Sequence, residues 1–156
     1  MEFREEFLLR AIEIAQENIQ TGGGPFGAVV VVNDTIVAEA GNTVVPTNDP
    51  TAHAEVNAIR TACRKLNQFD LSEAVIYASS EPCPMCLSAI YWARIQKIYY
   101  AASRFDAADA GFDDEFIYKE LENPVENRHI AIEQRLPKEG KETFALWKRY
   151  EDKVPY

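Results

Sequence analysis

The sequence predicts a three-layer α/β fold, in which helices cover both faces of a sheet, and three observations support this prediction. Residues 2–20 repeat apolar side chains at three- and four-residue spacing, which is typical of an amphipathic helix. Residues 28–32 are apolar on both faces, as in a central strand. Residues 74–102 read as strand, short helix and strand, which indicates a βαβ unit. At 156 residues, the chain is most simply one domain, 1–156.

The first third of the chain predicts a helix followed by a hairpin. Residues 21–24 contain three consecutive glycines and end the first helix. A glycine loop can also cradle a phosphate, but such a loop opens a helix, and here a strand follows, so we interpret the glycines as a turn. Asn33 and Asp34 suit a hairpin turn, after which residues 35–42 return as the second strand.

The remainder predicts alternating elements and then a segment of weaker pattern. The expected elements are helices over 52–66 and 84–94 and strands over 74–79 and 97–102. The two strands should be parallel and joined by a right-handed crossover. Beyond residue 103 the sequence is acidic and indicates short helices, with a last helix over 141–150. We interpret Cys63, within the second long helix, as a small buried apolar residue.

Charge and hydropathy narrow the class of partner. The chain has 25 acidic and 16 basic residues and a net charge of −9. Because nucleic-acid binding depends on Lys and Arg that neutralise phosphates, we expect a small-molecule partner and no nucleic acid. No apolar run approaches the roughly 20 residues of a membrane span, and the acidic N-terminus is unlike a signal peptide. These features, with an odd count of three cysteines, predict a cytoplasmic protein without a membrane partner.

Two cysteines and a histidine predict a metal site. Cys83 and Cys86 form a C-x-x-C pair where a strand turns into a helix, and ligands gather at such strand ends in open α/β sheets. At a helix start, the free N–H groups stabilise thiolates. His53, at another predicted helix start, is the third ligand. One nitrogen, two sulfurs and an open fourth position are the pattern of a catalytic Zn²⁺ site, with one ion per chain.

Glu55 follows His53 by two residues and can reach a water in the open position without binding the metal. Two thiolates leave zinc formally neutral, so the ion acidifies water less than a three-histidine site does. We therefore expect Glu55 to take the water's proton and deliver it elsewhere. The alternative of a non-catalytic, zinc-stabilised binding module has no use for such a carboxylate. A structural zinc would also need a fourth ligand, and we interpret His129 as a surface or core residue.

The spacing His53-x-Glu55 with Pro82-Cys83-x-x-Cys86 is the signature of zinc deaminases, and the chain resembles the cytidine deaminase superfamily. The strings "AHAE" and "EPCPMC" are similar to its purine-base branch. The resemblance covers nearly the whole chain. It implies a cytidine deaminase-like fold with a five-stranded mixed sheet, a bound zinc ion, and hydrolytic loss of an exocyclic amine as ammonia.

The zinc signature does not determine which base is deaminated. The tRNA adenosine deaminases of the same branch share "DPTAHAE" and "PCPMC", but the acidic net charge disfavours tRNA. The stretch "FDAADAGFDDEFIYKELENP" and the ending "KVPY" resemble bacterial guanine deaminases, in a region that differs among the branches. That resemblance implies attack at C2 of guanine, giving xanthine and ammonia. It leaves tRNA adenosine deamination as the alternative and related aminated heterocycles open.

The resemblance also assigns a second proton carrier to the acidic stretch. Asp114 is our choice, with Asp113 as the rival. A different interpretation is that these acids only cap the helix that begins near residue 115.

Further residues are expected around the base. Asn42, which ends the second strand, matches the family's base-contacting asparagine and offers both a donor and an acceptor. Phe26 and Trp92 are candidates for the apolar walls of the pocket, although either could be plain core packing. The backbone at Ala54 and Cys83 is also expected to contact the base or its oxyanion-like intermediate.

The C-terminal segment, about 141–156, raises a separate expectation. Chain ends usually fray, yet this one closes with "WKRYEDKVPY". In the guanine deaminases that it resembles, this segment crosses to a partner subunit and closes its active site. We therefore expect a homodimer in which Tyr156 covers the neighbour's pocket, with an idle, frayed tail as the alternative.

Overall fold

The chain folds into two units, which the computed structural model describes over residues 2–156: one unit extends to Asp114, and the other covers Glu115–Tyr156. The first unit contains four strands, β1 (Gly27–Val32), β2 (Thr35–Gly41), β3 (Ala74–Ser80) and β4 (Lys97–Ala102). Its helices are α1 (Glu5–Gln20), α2 (Val44–Thr47), α3 (Ala54–Leu66), α4 (Pro84–Trp92) and α5 (Arg104–Asp109). The second unit contains α6 (Glu115–Glu122), a 3₁₀ turn (Val125–Asn127) and α7 (Pro137–Arg149).

The sheet is mixed, with the strand order β2-β1-β3-β4. Strand β1 runs antiparallel to both β2 and β3, whereas β4 runs parallel to β3 and is reached through α4. The predicted βαβ unit is therefore confirmed. The predicted hairpin is confirmed as well, because Asn33 and Asp34 both adopt left-handed φ angles, 49° and 56°, as a type I′ turn requires.

Two apolar clusters place the sheet between layers of helices, as the apolar run in β1 predicts. Alternate residues of β1 and β3, among them Val29 and Tyr77, pack against α1 through Phe7 and Ala11. The intervening residues, such as Val30, pack on the opposite face with α3 and α4. All seven residues of β3 are buried. Because β3 is buried along its whole length, the loop that follows its last residue is held firmly at the sheet edge where Cys83 lies.

The expectation of a fifth strand is wrong for the described residues, since the sheet there has four. All four strands that the sequence pattern itself predicts are present, and the fifth came only from the family resemblance. The one later stretch with alternating apolar residues contains Ile130 and Ile132. It has no backbone ladder to a neighbour, and Ile130 remains 73% exposed. A strand without a partner leaves its N–H and C=O groups to water, so the stretch stays irregular.

The second unit buries almost no apolar surface. None of its three helical segments contains a buried residue. Helix α7 begins four residues before the predicted start at 141, because Pro137 occupies the first turn, where a proline needs no N–H partner. Among residues 2–156, no helix combines the length and the apolar character that a bilayer span requires.

Candidate active site

Two helix starts bring the three predicted metal ligands together. His53 is the N-cap residue of α3, and Cys83 is the N-cap residue of α4, both with extended backbone angles. Pro84 occupies the first turn of α4, where its fixed φ suits a helix and its missing N–H would have had no partner within the helix. Cys86 follows within the same turn and is fully buried. Each helix directs its positive N-terminal end toward the sulfurs.

The spacing of the ligand atoms fits a tetrahedral zinc ion. His53 Nδ1 lies 3.5 Å from Cys83 Sγ and 3.5 Å from Cys86 Sγ. With bonds of roughly 2.3 Å to sulfur and 2.0–2.1 Å to nitrogen, a tetrahedral angle places N and S about 3.6 Å apart. All three ligand atoms lie within 4.8 Å of one another, and no other His, Cys, Asp or Glu in residues 2–156 joins this set. These side chains can therefore hold zinc and leave its fourth position to water.

The electrostatics of the cysteines also favour a cation. The pKa of Cys83 is lowered to about 4, because the Cys86 thiol and the His53 imidazole both donate hydrogen bonds to its sulfur. The pKa of Cys86 is raised, because its proton is held by the Cys83 thiolate and because burial and Glu55 disfavour a second negative charge. The pair thus shares one proton in the absence of metal. A divalent cation that displaces this proton gains two thiolate ligands.

Glu55 lies in the first turn of α3 and is only 7% exposed. Its pKa is raised, mainly because burial disfavours the carboxylate and also because the Cys83 charge repels it. Its carboxyl group interacts with the Cys86 side chain, yet it is outside the ligand set. A buried carboxyl group beside a metal site, but not bound to the metal, is suited to carry a proton.

Asn42 is 7% exposed and follows β2 directly. Its backbone N–H donates to Phe26 O at 3.1 Å. Its side-chain Oδ1 accepts a hydrogen bond from the backbone N–H of Val44 at 3.1 Å. Since a backbone N–H can only donate, this contact identifies the oxygen of the carboxamide and fixes its orientation, and the NH₂ group can then donate to a ligand.

The acidic pair of the first unit is not equivalent in its surroundings. Asp113 is exposed and Asp114 is half-buried. The pKa of Asp114 is raised, first by burial and then by the negative charge of Cys83. Helix α6 begins at the next residue, so a capping contribution from Asp114 also fits the sequence order.

The remaining predicted residues lie in different environments. Phe26 is half-buried and packs edge-on against Phe112, with ring centroids 4.9 Å apart. Ala54 is fully buried at the first position of α3, where a backbone N–H has no acceptor within its own helix. Trp92 ends α4 and is 70% exposed, and Tyr156 in the second unit is 76% exposed. The roles of all four toward a base stay predictions.

Two residues outside the site also have defined places. Cys63 is half-buried and packs against the cluster on the α3 side, close to the buried apolar role predicted for it. The ring of His129 packs edge-on against Phe116 within the second unit, and its backbone N–H donates to Glu120.

The sequence analysis missed two asparagines that organise the site. Asn18 on α1 and Asn57 on α3 donate side-chain hydrogen bonds to backbone carbonyls around Asn42. In the sequence, both occupy ordinary polar positions of amphipathic helices. No local spacing distinguishes a polar residue that faces water from one that holds a distant loop.

Comparison with known proteins adds three findings. A family described as the cytidine and deoxycytidylate deaminase zinc-binding region matches residues 1–102. A guanine deaminase from Bacillus subtilis is 51% identical over 153 residues, covering 97% of this chain and 98% of its own, and a crystal structure of guanine deaminase from that organism matches with a TM-score of 0.96, at 50% identity and 99% coverage of both chains. A tRNA-specific adenosine deaminase from Aquifex aeolicus is 35% identical over 130 residues, 83% of each chain.

Proposed function

This chain belongs to the family of cytidine and deoxycytidylate deaminases, and we propose that it is a zinc-dependent enzyme that hydrolyses guanine to xanthine and ammonia. The observation that carries the proposal is the buried Glu55 carboxyl group beside, but outside, a three-ligand zinc set. The choice of guanine is supported by the likeness to the Bacillus subtilis guanine deaminase, which extends over nearly the whole chain rather than over the zinc-binding region alone.

Glu55 is the residue that moves the proton in this proposal. His53, Cys83 and Cys86 would hold the zinc ion. When zinc is bound, it would make a nearby water easier to deprotonate. Glu55 accepts a proton from the attacking water and donates it to a ring nitrogen next to the reacting carbon. The raised pKa of Glu55 serves both steps, because a carboxyl group with a pKa nearer neutrality accepts and releases a proton with similar ease.

Asn42 supports the choice of a base with an acceptor edge. Its Oδ1 already accepts from the Val44 N–H, which fixes the carboxamide so that its NH₂ group can donate to a ligand. Guanine, when its C2 is at the metal, presents acceptors away from the reacting carbon, the carbonyl oxygen at C6 and the ring nitrogen N7, and either can receive such a bond. We place Phe26 against one face of the base and the backbone N–H groups near Ala54 and Cys83 at its edge.

Asp114 is the second proton carrier in the proposal. Hydrolysis forms a C2–O bond and breaks the C2–N bond; the departing nitrogen gains one proton to leave as ammonia, and the hydroxyl group on C2 loses one as the carbonyl forms, which returns a proton to the carrier. Asp114 is half-buried, and its pKa is raised by burial and by the negative charge of Cys83, so it can keep a proton near neutral pH better than an exposed acid can. Asp113 is exposed.

The second unit supports the proposal of a swapped homodimer. Most of its large apolar side chains are at least two-fifths exposed, among them those of Phe144 (69%), Leu146 (62%) and Tyr156 (76%). Apolar surface on this scale is typical of a segment that packs on a partner. We propose that residues 141–156 close the active site of a second copy and that Tyr156 covers its pocket. In this arrangement Trp92, which is 70% exposed at the end of α4, contacts the partner or the base from that side.

We also place the enzyme in the cytoplasm. Cys83 and Cys86 lie close together as free thiols and must stay reduced to bind zinc. The cytosol maintains that state, whereas an oxidising compartment favours disulfides.

The test of the proposed function is ammonia release by purified, zinc-loaded protein. Guanine, adenine, cytosine, cytidine and tRNA are offered in parallel, and only guanine is expected to react rapidly. Glu55→Gln should keep stoichiometric zinc and lose turnover by about 10²–10⁴-fold, because it keeps the size of the side chain and removes its proton transfer. Glu73→Gln, at an exposed position before β3, is the matched control and should retain wild-type turnover.

The same experiment separates the other hypotheses. Rapid release from tRNA with no release from guanine would establish the adenosine deaminase alternative, which the net charge of −9 disfavours. Zinc binding without ammonia release from any substrate would establish the non-catalytic module.

A further inference from the structure

Asn57 contacts both the segment that carries Asn42 and the loop that leads to His53, although it is neither a metal ligand nor a residue proposed to bind the base. It lies one helical turn after His53 on α3 and is half-buried. Its side-chain Nδ2 lies 3.0 Å from Gly41 O, 3.0 Å from Thr43 Oγ1 and 3.2 Å from Ala52 O. An amide nitrogen has two hydrogens, so one of them is shared between two of these acceptors. One side chain thus joins the end of β2 to the loop that leads into α3.

Two of the acceptors belong to the peptide groups that directly precede Asn42 and His53. The Gly41 carbonyl belongs to the peptide group that contains the Asn42 N–H, and the Ala52 carbonyl belongs to the peptide group that contains the His53 N–H. Because peptide groups are planar, holding each oxygen fixes the plane from which the next residue projects. Asn57 therefore orients the residue proposed to bind the base and the residue proposed to bind zinc.

A single backbone bond supports the same junction. Thr43 N donates to Ala52 O at 2.9 Å, so the two segments also meet directly. Ala52 is only 3% exposed, and its carbonyl has little access to water that could replace a lost donor. Removal of the Asn57 amide would leave buried acceptors without one of their partners, and the loop would shift to recover them.

We propose that Asn57 is a positioning residue that sets the spacing between His53 and Asn42, by donating from one carboxamide to the peptide groups that precede them. This role rests on the proposed function for its substrate side, because Asn42 is proposed to bind guanine. The effect of Asn57 on zinc binding depends only on the position of His53, and it can be measured without substrate.

Asn18 provides a matched control, because it makes the same kind of hydrogen bond to the Asn42 segment but none to the loop before His53. Its Nδ2 donates to Gly24 O at 2.6 Å and to Asn42 O at 2.8 Å. These contacts hold the Asn42 segment from α1, but none of them reaches the loop before His53. Asn18→Ala should therefore affect base binding alone, whereas Asn57→Ala should affect both base and metal.

The experiment measures zinc affinity by competition with a chelator, guanine KM and kcat, and thermal unfolding for the wild type and both variants. Asn57→Ala is expected to weaken zinc binding about 10- to 100-fold and to raise KM about tenfold. Asn18→Ala is expected to raise KM while zinc affinity stays at the wild-type value. Asn57→Asp, which keeps the shape and removes the donors, is the second variant if the alanine variant does not fold, and it should weaken zinc binding as well.

Two outcomes would overturn the inference. A folded Asn57 variant with wild-type zinc affinity would show that the residue only stabilises the fold, even if its melting temperature falls. Equal loss of zinc affinity in Asn18→Ala would show that any disturbance near Asn42 reaches the metal. If the wild type does not deaminate guanine, the proposed function fails, and the zinc measurements still decide the role of Asn57.

Discussion

Asp113 and Asp114 show how neighbouring identical side chains differ once they are folded. Asp113 is exposed, whereas Asp114 is half-buried and feels the charge of Cys83, which raises its pKa. A proton carrier near a zinc site needs this environment. A helix cap does not, since a capping carboxylate works as well at the surface.

Substitution by asparagine separates the two roles of Asp114. Asparagine caps a helix about as well as aspartate but cannot transfer a proton. Asp114→Asn should therefore lower kcat by about 10²-fold or more and leave the melting temperature nearly unchanged. Asp113→Asn, the matched change one residue earlier, should stay close to wild type in guanine turnover. The assignment is wrong if Asp113→Asn is the slower enzyme, and the capping interpretation holds if both retain full kcat.

The residues that bind metal could be predicted from the sequence, and those that orient them could not. His53, Cys83 and Cys86 have chemical types and spacings that only a few sites use, so their pattern is informative by itself. Asn57 acts through a contact with Gly41, sixteen residues away in the chain. Asparagine on a helix surface is common, and its partner depends on the packing of α3 against β2, which no local pattern encodes.

At the scale of elements, the close approach of α1 to β1 depends on Gly27. A Cβ at this position would overlap Ala11 O and would lie 2.8 Å from Ala15 N, both backbone atoms that cannot rotate away. The Gly27 N–H also donates to Ser79 Oγ at 3.0 Å, so the strand cannot shift without breaking a buried hydrogen bond.

Gly27→Ala should therefore lower the free energy of unfolding by about 1–3 kcal/mol, because the helix must move away from the sheet. Gly140→Ala is the matched control within α7, where nothing lies within 4 Å of an added Cβ. It should raise stability by up to about 1 kcal/mol, since alanine favours the helix. Urea unfolding of the zinc-loaded variants measures both values. Equal stability of Gly27→Ala and wild type would contradict the role given to this contact.

The elements predicted correctly from the sequence are those in which the periodicity of apolar residues extends over enough positions to be recognised. Helix α1 and the four strands have clear periodicity, and their bounds differ from the predictions by a few residues. The short helix α2 was missed because four residues, one of them Pro46, contain no repeat. A fifth strand could not be decided from one chain, since pairing depends on an available edge rather than on residue type.

At the scale of the whole molecule, charge and surface suggest different partners for different parts. The net charge of −9 opposes a polyanion but leaves a small neutral base free to approach. The residues from Glu115 onward combine helical structure with exposed apolar side chains. We propose that the chain buries this surface on a second copy, in a homodimer with exchanged C-terminal segments.

Removal of Lys153–Tyr156 tests whether this segment completes an active site. The truncated protein should bind one zinc ion per chain as before, because its ligands are His53, Cys83 and Cys86, yet turnover of guanine should fall sharply. Tyr156→Phe is the milder variant and shows whether the hydroxyl group matters. Full activity of the truncated protein would show that the tail is idle.

A mixing experiment then decides whose site the tail covers. Truncated chains with intact Glu55 are co-expressed with full-length Glu55→Gln chains, each inactive alone. If the tail acts on the partner, the hybrid dimer has one complete site, formed by Glu55 of the truncated chain and the tail of the other. Half of the dimers in an equal mixture are hybrids, so about a quarter of wild-type activity should return. If each tail covers its own chain's site, no chain has both parts and the mixture stays inactive.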